Sequence, residues 1–249
     1  MKARPAAWGF KWWKKNNMAR TRSKRYQGRV KLVDSEKRYP LAEAIKILKK
    51  VPAGKYDETL CLNVQLGIKT ESGTENVRGT VSLPHGSGKK VRVICFCKGE
   101  GAKEAKDAGA DVVGGEELVQ KIQEGWLDFD AVVAHPDMMR EVSKLGRVLG
   151  PKGLMPTPKT GTVTPKVGQA VKELKAGRIE FKSDKTGGLH AVCGKQSFAE
   201  AALIENTAMV IRAVQDSKPA TAKGDYLRSA TIALSQGPGV TLALNALGI

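Results

Sequence analysis

The chain has few aromatic side chains: Phe, Trp and Tyr make up 5% of its 249 residues. Its cores must therefore be assembled chiefly from Val, Ile, Leu and Ala. No stretch approaches the roughly 18 consecutive apolar residues of a membrane-spanning helix. The first residues also lack the apolar core of a secretory signal. Histidine occurs three times, as His85, His135 and His190, in separate segments that share no motif. A histidine-based metal cluster or nucleophile–base pair is therefore not indicated. The four cysteines, Cys61, Cys95, Cys97 and Cys193, include no CxxC pair, so buried reduced thiols are expected rather than zinc or disulfides. Cys95 and Cys97 sit in the run Val91-Arg92-Val93-Ile94-Cys95-Phe96-Cys97, where alternation along a strand points both thiols to one side of a core. No cofactor and no metal is expected.

Carboxylates are missing before Asp34, and what stands in their place is positive charge. The chain carries 42 Lys and Arg against 25 Asp and Glu, for a net +17. Eleven of the basic residues, Lys2, Arg4, Lys11, Lys14, Lys15, Arg20, Arg22, Lys24, Arg25, Arg29 and Lys31, fall within the first 33 positions. The chain thus reads as a moderately basic globule behind a very basic arm. A surplus of this size points to a polyanionic partner, nucleic acid before an anionic membrane surface. Such an arm is expected to order only on its partner. Met18 opens Met18-Ala19-Arg20-Thr21-Arg22-Ser23-Lys24, which reads like a second protein start. Residues 1–17, with Trp8, Trp12 and Trp13, are read as an upstream misread start, an extension or a short organellar targeting piece.

Behind the arm, Leu41, Ala44, Ile45 and Leu48 recur at helical spacing until Pro52 and Gly54. Leu60, Leu62, Val64 and Leu66 alternate with Cys61, Asn63 and Gln65, the pattern of a half-buried strand. Val77–Leu83 reads as another strand. The texture then changes. Strands at 91–97, 110–113 and 129–134 alternate with helices at 100–108, 116–123 and 136–145, the signature of a small parallel α/β sheet. The continuous apolar run at 91–97 suits burial on both faces. A basic Gly/Pro-rich loop follows, from Lys144 to Lys159. A helix at 165–176 closes on Gly177, and strands at 178–183 and 189–193 flank Asp184-Lys185-Thr186-Gly187-Gly188 as a hairpin signal. A further helix carries Ile204, Ala208, Ile211 and Val214. Strands at 226–234 and 240–244 are joined through Ser235-Gln236-Gly237-Pro238-Gly239.

Neither end forms a convincing domain alone, whereas the middle looks self-sufficient. The expected fold is α/β in two domains: a split α+β domain built from both chain ends, and an inserted Rossmann-like α/β domain with a small parallel sheet. The expected bounds are 18–83 and 161–249 for the split domain and 84–160 for the insert. A double connection between them makes a natural hinge.

Enzyme signatures fail on inspection. Gly86-Ser87-Gly88-Lys89 lacks the spacing of a phosphate loop. Gly99-Glu100-Gly101 has Glu104 where a dinucleotide fingerprint needs Gly. A nucleotide-dependent enzyme using the insert stays as the alternative, on fold analogy alone. The Gly237-Pro238-Gly239 turn beside Ser235 and Gln236 offers close backbone approach, a hydroxyl and an amide, groups that suit RNA. Lys55-Tyr56-Asp57-Glu58-Thr59 places a ring where a base or ribose can stack. Local physics leaves both as ordinary turn or strand chemistry or as RNA contacts.

These segments, taken together and in order, resemble the universal family of ribosomal large-subunit protein one, the mobile stalk protein beside the tRNA exit site, in its bacterial type. The resemblance is carried by Lys55-Tyr56-Asp57-Glu58-Thr59, by Val77-Arg78-Gly79-Thr80-Val81-Ser82-Leu83-Pro84-His85-Gly86 and by Gly109-Ala110-Asp111. It continues through Gly125-Trp126-Leu127-Asp128-Phe129-Asp130, Pro136-Asp137-Met138-Met139 and the long basic run from Leu145 to Val163, the most specific part. Lys175-Ala176-Gly177-Arg178-Ile179-Glu180-Phe181 and Gly237-Pro238-Gly239 complete it. It covers about residues 18–245.

The resemblance implies a non-enzymatic ribosomal protein that binds the stalk region of large-subunit rRNA and moves with it as deacylated tRNA leaves the exit site. It also implies repression of its own mRNA, existence as a monomer outside the ribosome, and no membrane partner. The implied setting is a cytoplasmic ribosome, with an organellar one as the other option. Carried over position by position, the implied RNA contacts are Lys55, Tyr56, Glu58, Thr59, Lys152, Arg178, Glu180, Lys182, Asp184, Lys185, Ser229, Ser235, Gln236, Gly237, Pro238 and Gly239. Two departures stand out: Tyr56 where the family usually has Phe, and Ser235-Gln236 where bacterial members usually have Thr-Met.

Overall fold

A computed structural model of the chain describes residues 22–34, 37–52, 54–68, 76–219 and 224–244. Residues 1–17, and the second start at Met18, lie outside the described residues.

The strand read from the alternation at 60–66 is β1, Thr59–Leu66, with Leu60, Leu62, Val64 and Leu66 buried and the intervening residues half-buried. It sits at the centre of a four-stranded antiparallel sheet. β1 pairs on one side with β7, Gly188–Lys195, and on the other with β8, Leu227–Leu234. β9, Gly239–Thr241, adds the edge through Thr231↔Thr241 and Ala233↔Gly239. Two helices cover one face. The first is Leu41–Lys50, which buries Ala44, Ile45 and Leu48 and sets Glu43 in its first turn and Lys49 and Lys50 in its last, matching the helix dipole. The second is Glu200–Asp216, which buries Leu203, Val210, Ile211 and Val214. The shared core draws on residues from Val33 to Leu83 and again from Phe181 to Leu242, so both chain ends build it. A shorter helix, Lys24–Val30, precedes them and buries Arg29. In chain order, α1 is Lys24–Val30 and α2 is Leu41–Lys50.

The middle of the chain forms a three-stranded parallel sheet in the order β4-β3-β5, where β3 is Val93–Phe96, β4 Val112–Gly114 and β5 Ala131–Ala134. As the apolar run requires, β3 is buried on both faces. Ile94 and Phe96 join a cluster with Leu118, Ile122, Val142 and Leu149, while Val93, Cys95 and Cys97 join Ala105, Val133, Val167 and Val171. The Cys95 and Cys97 sulfurs lie 3.5 Å apart, both free and both buried, as read from their alternation. Helices α3, Glu100–Asp107, and α4, Glu116–Gln123, fall where their periodicity places them. The 136–145 segment is broken into short turns, 3-10 at Pro136–Met138, α5 at Met139–Val142 and 3-10 at Ser143–Leu145, with α6 at Gly146–Leu149. The described residues thus form an α/β fold with a three-stranded parallel sheet beside the four-stranded antiparallel one.

Two details depart from the sequence reading. Helix α7, Val167–Ala176, closed by Gly177 at φ 104, packs Val167, Ala170 and Val171 against β3, although its sequence position follows the expected end of the insert. The segments flanking Asp184–Gly188 do not form a ladder with each other. β6, Arg178–Lys182, pairs instead with β2, Arg78–Ser82, in a separate two-stranded ribbon. The turn itself is present, with Asp184 N donating to Gly188 O at 2.7 Å and Gly187 N to Asp184 O at 3.0 Å. A single bridge, Ser183↔Leu189, is all the ladder the two segments share. The turn instead links two different sheets, since β6 pairs with β2 and β7 with β1. Helix Glu200–Asp216 is α8.

The two connections between the sheets pass each other at Gly86 and Gly177. A Cβ on Gly177 would lie 2.5 Å from Gly86 Cα and 2.8 Å from Ser87 N. Asn206 of α8 pins the first connection, accepting from His85 N at 3.2 Å and donating to Gly86 O at 3.1 Å and Cys193 O at 2.8 Å.

Candidate nucleic-acid interface

Among the described residues, no helix covers the face of the four-stranded sheet opposite α2 and α8. Period-2 alternation fixes what it shows. From β1 come Thr59, Cys61, Asn63 and Gln65, from β7 His190, Val192 and Lys195, from β8 Ser229, Thr231 and Ala233, and from β9 Gly239 and Thr241. None of these positions is a carboxylate, and most offer a hydroxyl, an amide or an imidazole. His190 Nδ1 lies 2.8 Å from Asn63 Oδ1, and Gln65 Nε2 donates to Thr186 O at 2.8 Å. Lys195 Nζ donates to Thr59 Oγ1 at 2.8 Å, which fixes a cation on this face. Burial raises the Cys61 thiol pKa, with Lys195 opposing it.

At one end of this face the Ser235–Gly239 turn meets the Lys55–Thr59 segment. Ser235 N donates to Thr59 O at 3.0 Å, and Thr59 N donates to Ser235 Oγ at 3.1 Å. Tyr56 is half exposed beside them, and Lys55, Ser235, Gln236 and Gly239 are exposed. Lys55 and Tyr56 also line an open depression with Lys49 and Lys50. Ser229 reaches the same face through its pairing with Gln65, which in turn faces Gly188 beyond the Asp184-Lys185 turn. The structure therefore places Thr59, Ser229 and Gly239 on one face, the turn residues Ser235, Gln236 and Gly237 at its end, and exposed Asp184 and Lys185 at its β7 edge, while Tyr56 lies in the depression beside Lys49 and Lys50.

Other expected contacts fall elsewhere. Glu58 is fully buried, so its expected part as an RNA contact is corrected: it supports the turn from beneath. Its carboxylate accepts from Arg29 at 2.7 and 3.1 Å, from Arg25 at 2.8 Å and from Gln236 N at 3.3 Å. Burial pushes its pKa up, but the hydrogen bonds from Arg29 and the Gln236 backbone, with both guanidinium charges, bring it below the ordinary value. Pro238 is also buried, so it shapes the turn rather than presenting a surface.

Arg178, Glu180 and Lys182 lie on the separate β2–β6 ribbon. The Arg178 guanidinium is taken up by Thr80 Oγ1 at 3.0 Å within the ribbon, and by Glu173 Oε2 at 2.7 Å and Thr160 O at 2.8 Å outside it. Glu180 pairs with Arg78 at 2.5 Å. Lys182 is exposed. Lys152 is exposed on an insert turn closed by Gly153 N donating to Gly150 O at 3.1 Å.

Sequence reasoning missed Arg29, Lys195, Asn63, Gln65, His190 and Thr231. The polar half of the β1 alternation was a usable signal for Asn63 and Gln65. No local signal distinguished Arg29 from the other arm cations. Among the described residues no cluster of His, Cys, Asp and Glu is arranged to hold a metal, and no helix is long and apolar enough to cross a membrane.

Comparison with known proteins identifies the family. The family model described as "Ribosomal protein L1p/L10e family" matches residues 48–238. The chain is 52% identical over 221 residues to "Large ribosomal subunit protein uL1" of Kosmotoga olearia, covering 89% of this chain and 96% of the relative. It is likewise 52% identical over 220 residues to the protein of the same name from Thermus thermophilus, covering 88% and 96%. The chain belongs to the ribosomal protein L1p/L10e family, as a bacterial-type, structural and non-enzymatic ribosomal protein of the large subunit.

Proposed function

We propose that the helix-free face of the four-stranded sheet binds large-subunit rRNA in its stalk region. The observation that carries this reading is the placement of Thr59, Ser229 and Gly239 on a face whose paired strand positions hold no carboxylate, with Ser235 bonded to Thr59 at its end and half-exposed Tyr56 just upstream of Thr59. Hydroxyls and amides suit ribose 2′-OH groups, which distinguish RNA from DNA. The glycines admit a sugar-phosphate backbone that a Cβ would hold off. Lys55, Lys182, Lys185 and Lys152 supply phosphate contacts around it. With this reading go motion of the stalk as deacylated tRNA leaves and repression of the protein's own mRNA, since one RNA-shaped surface serves both.

The split domain keeps its first part at 18–83 in this proposal. The insert, however, runs from 84 to Ala176, with the second crossing at Gly177, because α7 packs on β3. The test is titration of the full chain with a stalk rRNA fragment at several salt concentrations. For ~6 neutralised phosphates, affinity falls by about three orders of magnitude over a fourfold rise in salt; a flat response overturns the proposal.

A further inference from the structure

We propose that Arg29 of α1 is a positioning residue for the RNA-binding turn, acting through Glu58 on both peptide groups of Gln236; this rests on the RNA-face reading above. Arg29 comes from the basic arm, upstream of the stretch matched by the family model, yet it is only 2% exposed and Glu58 is 0% exposed. Its Nη1 donates to Gln236 O at 3.1 Å, and Glu58 Oε2 accepts from Gln236 N at 3.3 Å. The ion pair thus grips Gln236 from both sides and fixes the backbone between Ser235 and Gly237. Arg29 also donates to Pro52 O, tying the same clamp to the segment that leads into Tyr56.

Stability alone does not account for this arrangement. Removing a guanidinium and a carboxylate from water is costly, and an apolar pair of similar volume often serves the fold as well or better. What an apolar pair cannot supply is a donor for Gln236 O and an acceptor for Gln236 N. Arg25 does not replace Arg29, because it reaches only Glu58 and its side chain is 46% exposed. Arg29 is buried against Glu58, so its charge is not presented at the surface to a polyanion.

The test compares the full chain with the double variant Arg29→Met/Glu58→Met, titrating a stalk rRNA fragment across salt concentrations. The double variant is expected to unfold at a temperature near that of the parent while binding the fragment at least tenfold more weakly. Its slope of log affinity against log salt stays unchanged, because no phosphate contact is lost. Adding Ser235→Val in that background lowers affinity less than in the parent, because the turn is already released. Arg29→Lys serves as a second variant if the double variant does not fold. It keeps the charge but cannot reach Glu58, Pro52 O and Gln236 O together, so it shows the same weakening and faster hydrogen exchange at the Gln236 amide.

Affinity within twofold of the parent in both variants overturns the proposal. So does a slope that falls by roughly one phosphate's worth, about 0.7–0.9, since that marks Arg29 as a direct contact. If the parent's own affinity for the fragment does not change with salt, the RNA-face reading itself has failed. If Ser235→Val weakens binding and the Arg29 variants do not, only the clamp has failed.

Discussion

Thr59 and Ser235 exchange hydrogen bonds through both backbone and side chain. Ser235 N donates to Thr59 O, Thr59 N donates to Ser235 Oγ, and Ser235 Oγ lies 3.3 Å from the same Thr59 O. One hydroxyl therefore stitches the end of β8 to the start of β1, residues 176 positions apart in sequence. A serine oxygen carries two lone pairs. Thr59 N occupies one, and the other remains free to accept from a ribose 2′-OH.

Ser235→Val removes that hydroxyl at similar bulk. It is expected to weaken binding of a stalk rRNA fragment by about 1–3 kcal/mol, the cost of leaving a buried partner without its hydrogen bond. Isothermal titration of both forms reads the difference. Because Thr59 N also loses its acceptor, a smaller drop in unfolding temperature accompanies it. Unchanged RNA affinity removes Ser235 from the contact surface.

Gly177 and Gly86 form the crossing of the two connections, and their contact has no room for a side chain. Gly177→Ala meets both the φ of 104 and a backbone 2.5 Å away. Gly125 shares the conformation, at φ 106, but has nothing within 4 Å of its would-be Cβ. Gly125→Ala is expected to cost about 1–2 kcal/mol from backbone strain alone. Gly177→Ala costs more and also shifts the two units relative to each other. Urea unfolding gives the first difference and small-angle scattering the second. Equal losses for the two variants show that the crossing tolerates a methyl group.

Asp130 precedes β5 and holds the start of the insert. Lys89 Nζ donates to it at 2.6 Å, and Arg92 donates through its backbone at 3.3 Å and Nε at 3.2 Å. The Lys89 hydrogen bond leads in lowering its pKa from 3.8 to about 2, against a smaller opposing effect of burial. A carboxyl with a depressed folded pKa stabilises the fold fully above its unfolded value. That contribution is lost as pH falls from near 3.8 toward about 2. The parent is therefore expected to lose more stability between pH 5 and pH 2 than Asp130→Asn does, measured by urea midpoints. Identical pH dependence in the two proteins contradicts the assignment.

The elements legible in the sequence are those whose cause is local. Leu41, Ala44, Ile45 and Leu48 announce α2, and the alternation from Leu60 to Leu66 announces β1, because burial imposes periods of 3.6 and 2. The doubly buried β3 was legible for the same reason. Pairing partners were not. Nothing near Asp184 states that β6 prefers β2 to the strand that follows it, since β2 lies far upstream, at Arg78–Ser82. The end of the insert was missed because α7 is amphipathic whichever sheet it covers. At the proposed site, Tyr56, Thr59 and Ser235 are expectations carried by a resemblance that spans nearly the whole chain, and no local pattern singles them out. Glu58 was visible as a charge but not as a buried one. Its burial depends on Arg29 and Gln236, 29 residues before it and 178 after it.

The most direct test of the account is position-specific crosslinking in intact ribosomes. A photo-crosslinking residue is placed at Thr231, on the helix-free face, and separately at Met209, 39% exposed on α8, on the opposite side of the sheet. After pelleting and mapping of the attached RNA, the account predicts that Thr231 crosslinks to a single stalk region of large-subunit rRNA and Met209 gives little or none. Strong rRNA crosslinks from Met209 with none from Thr231 contradict it.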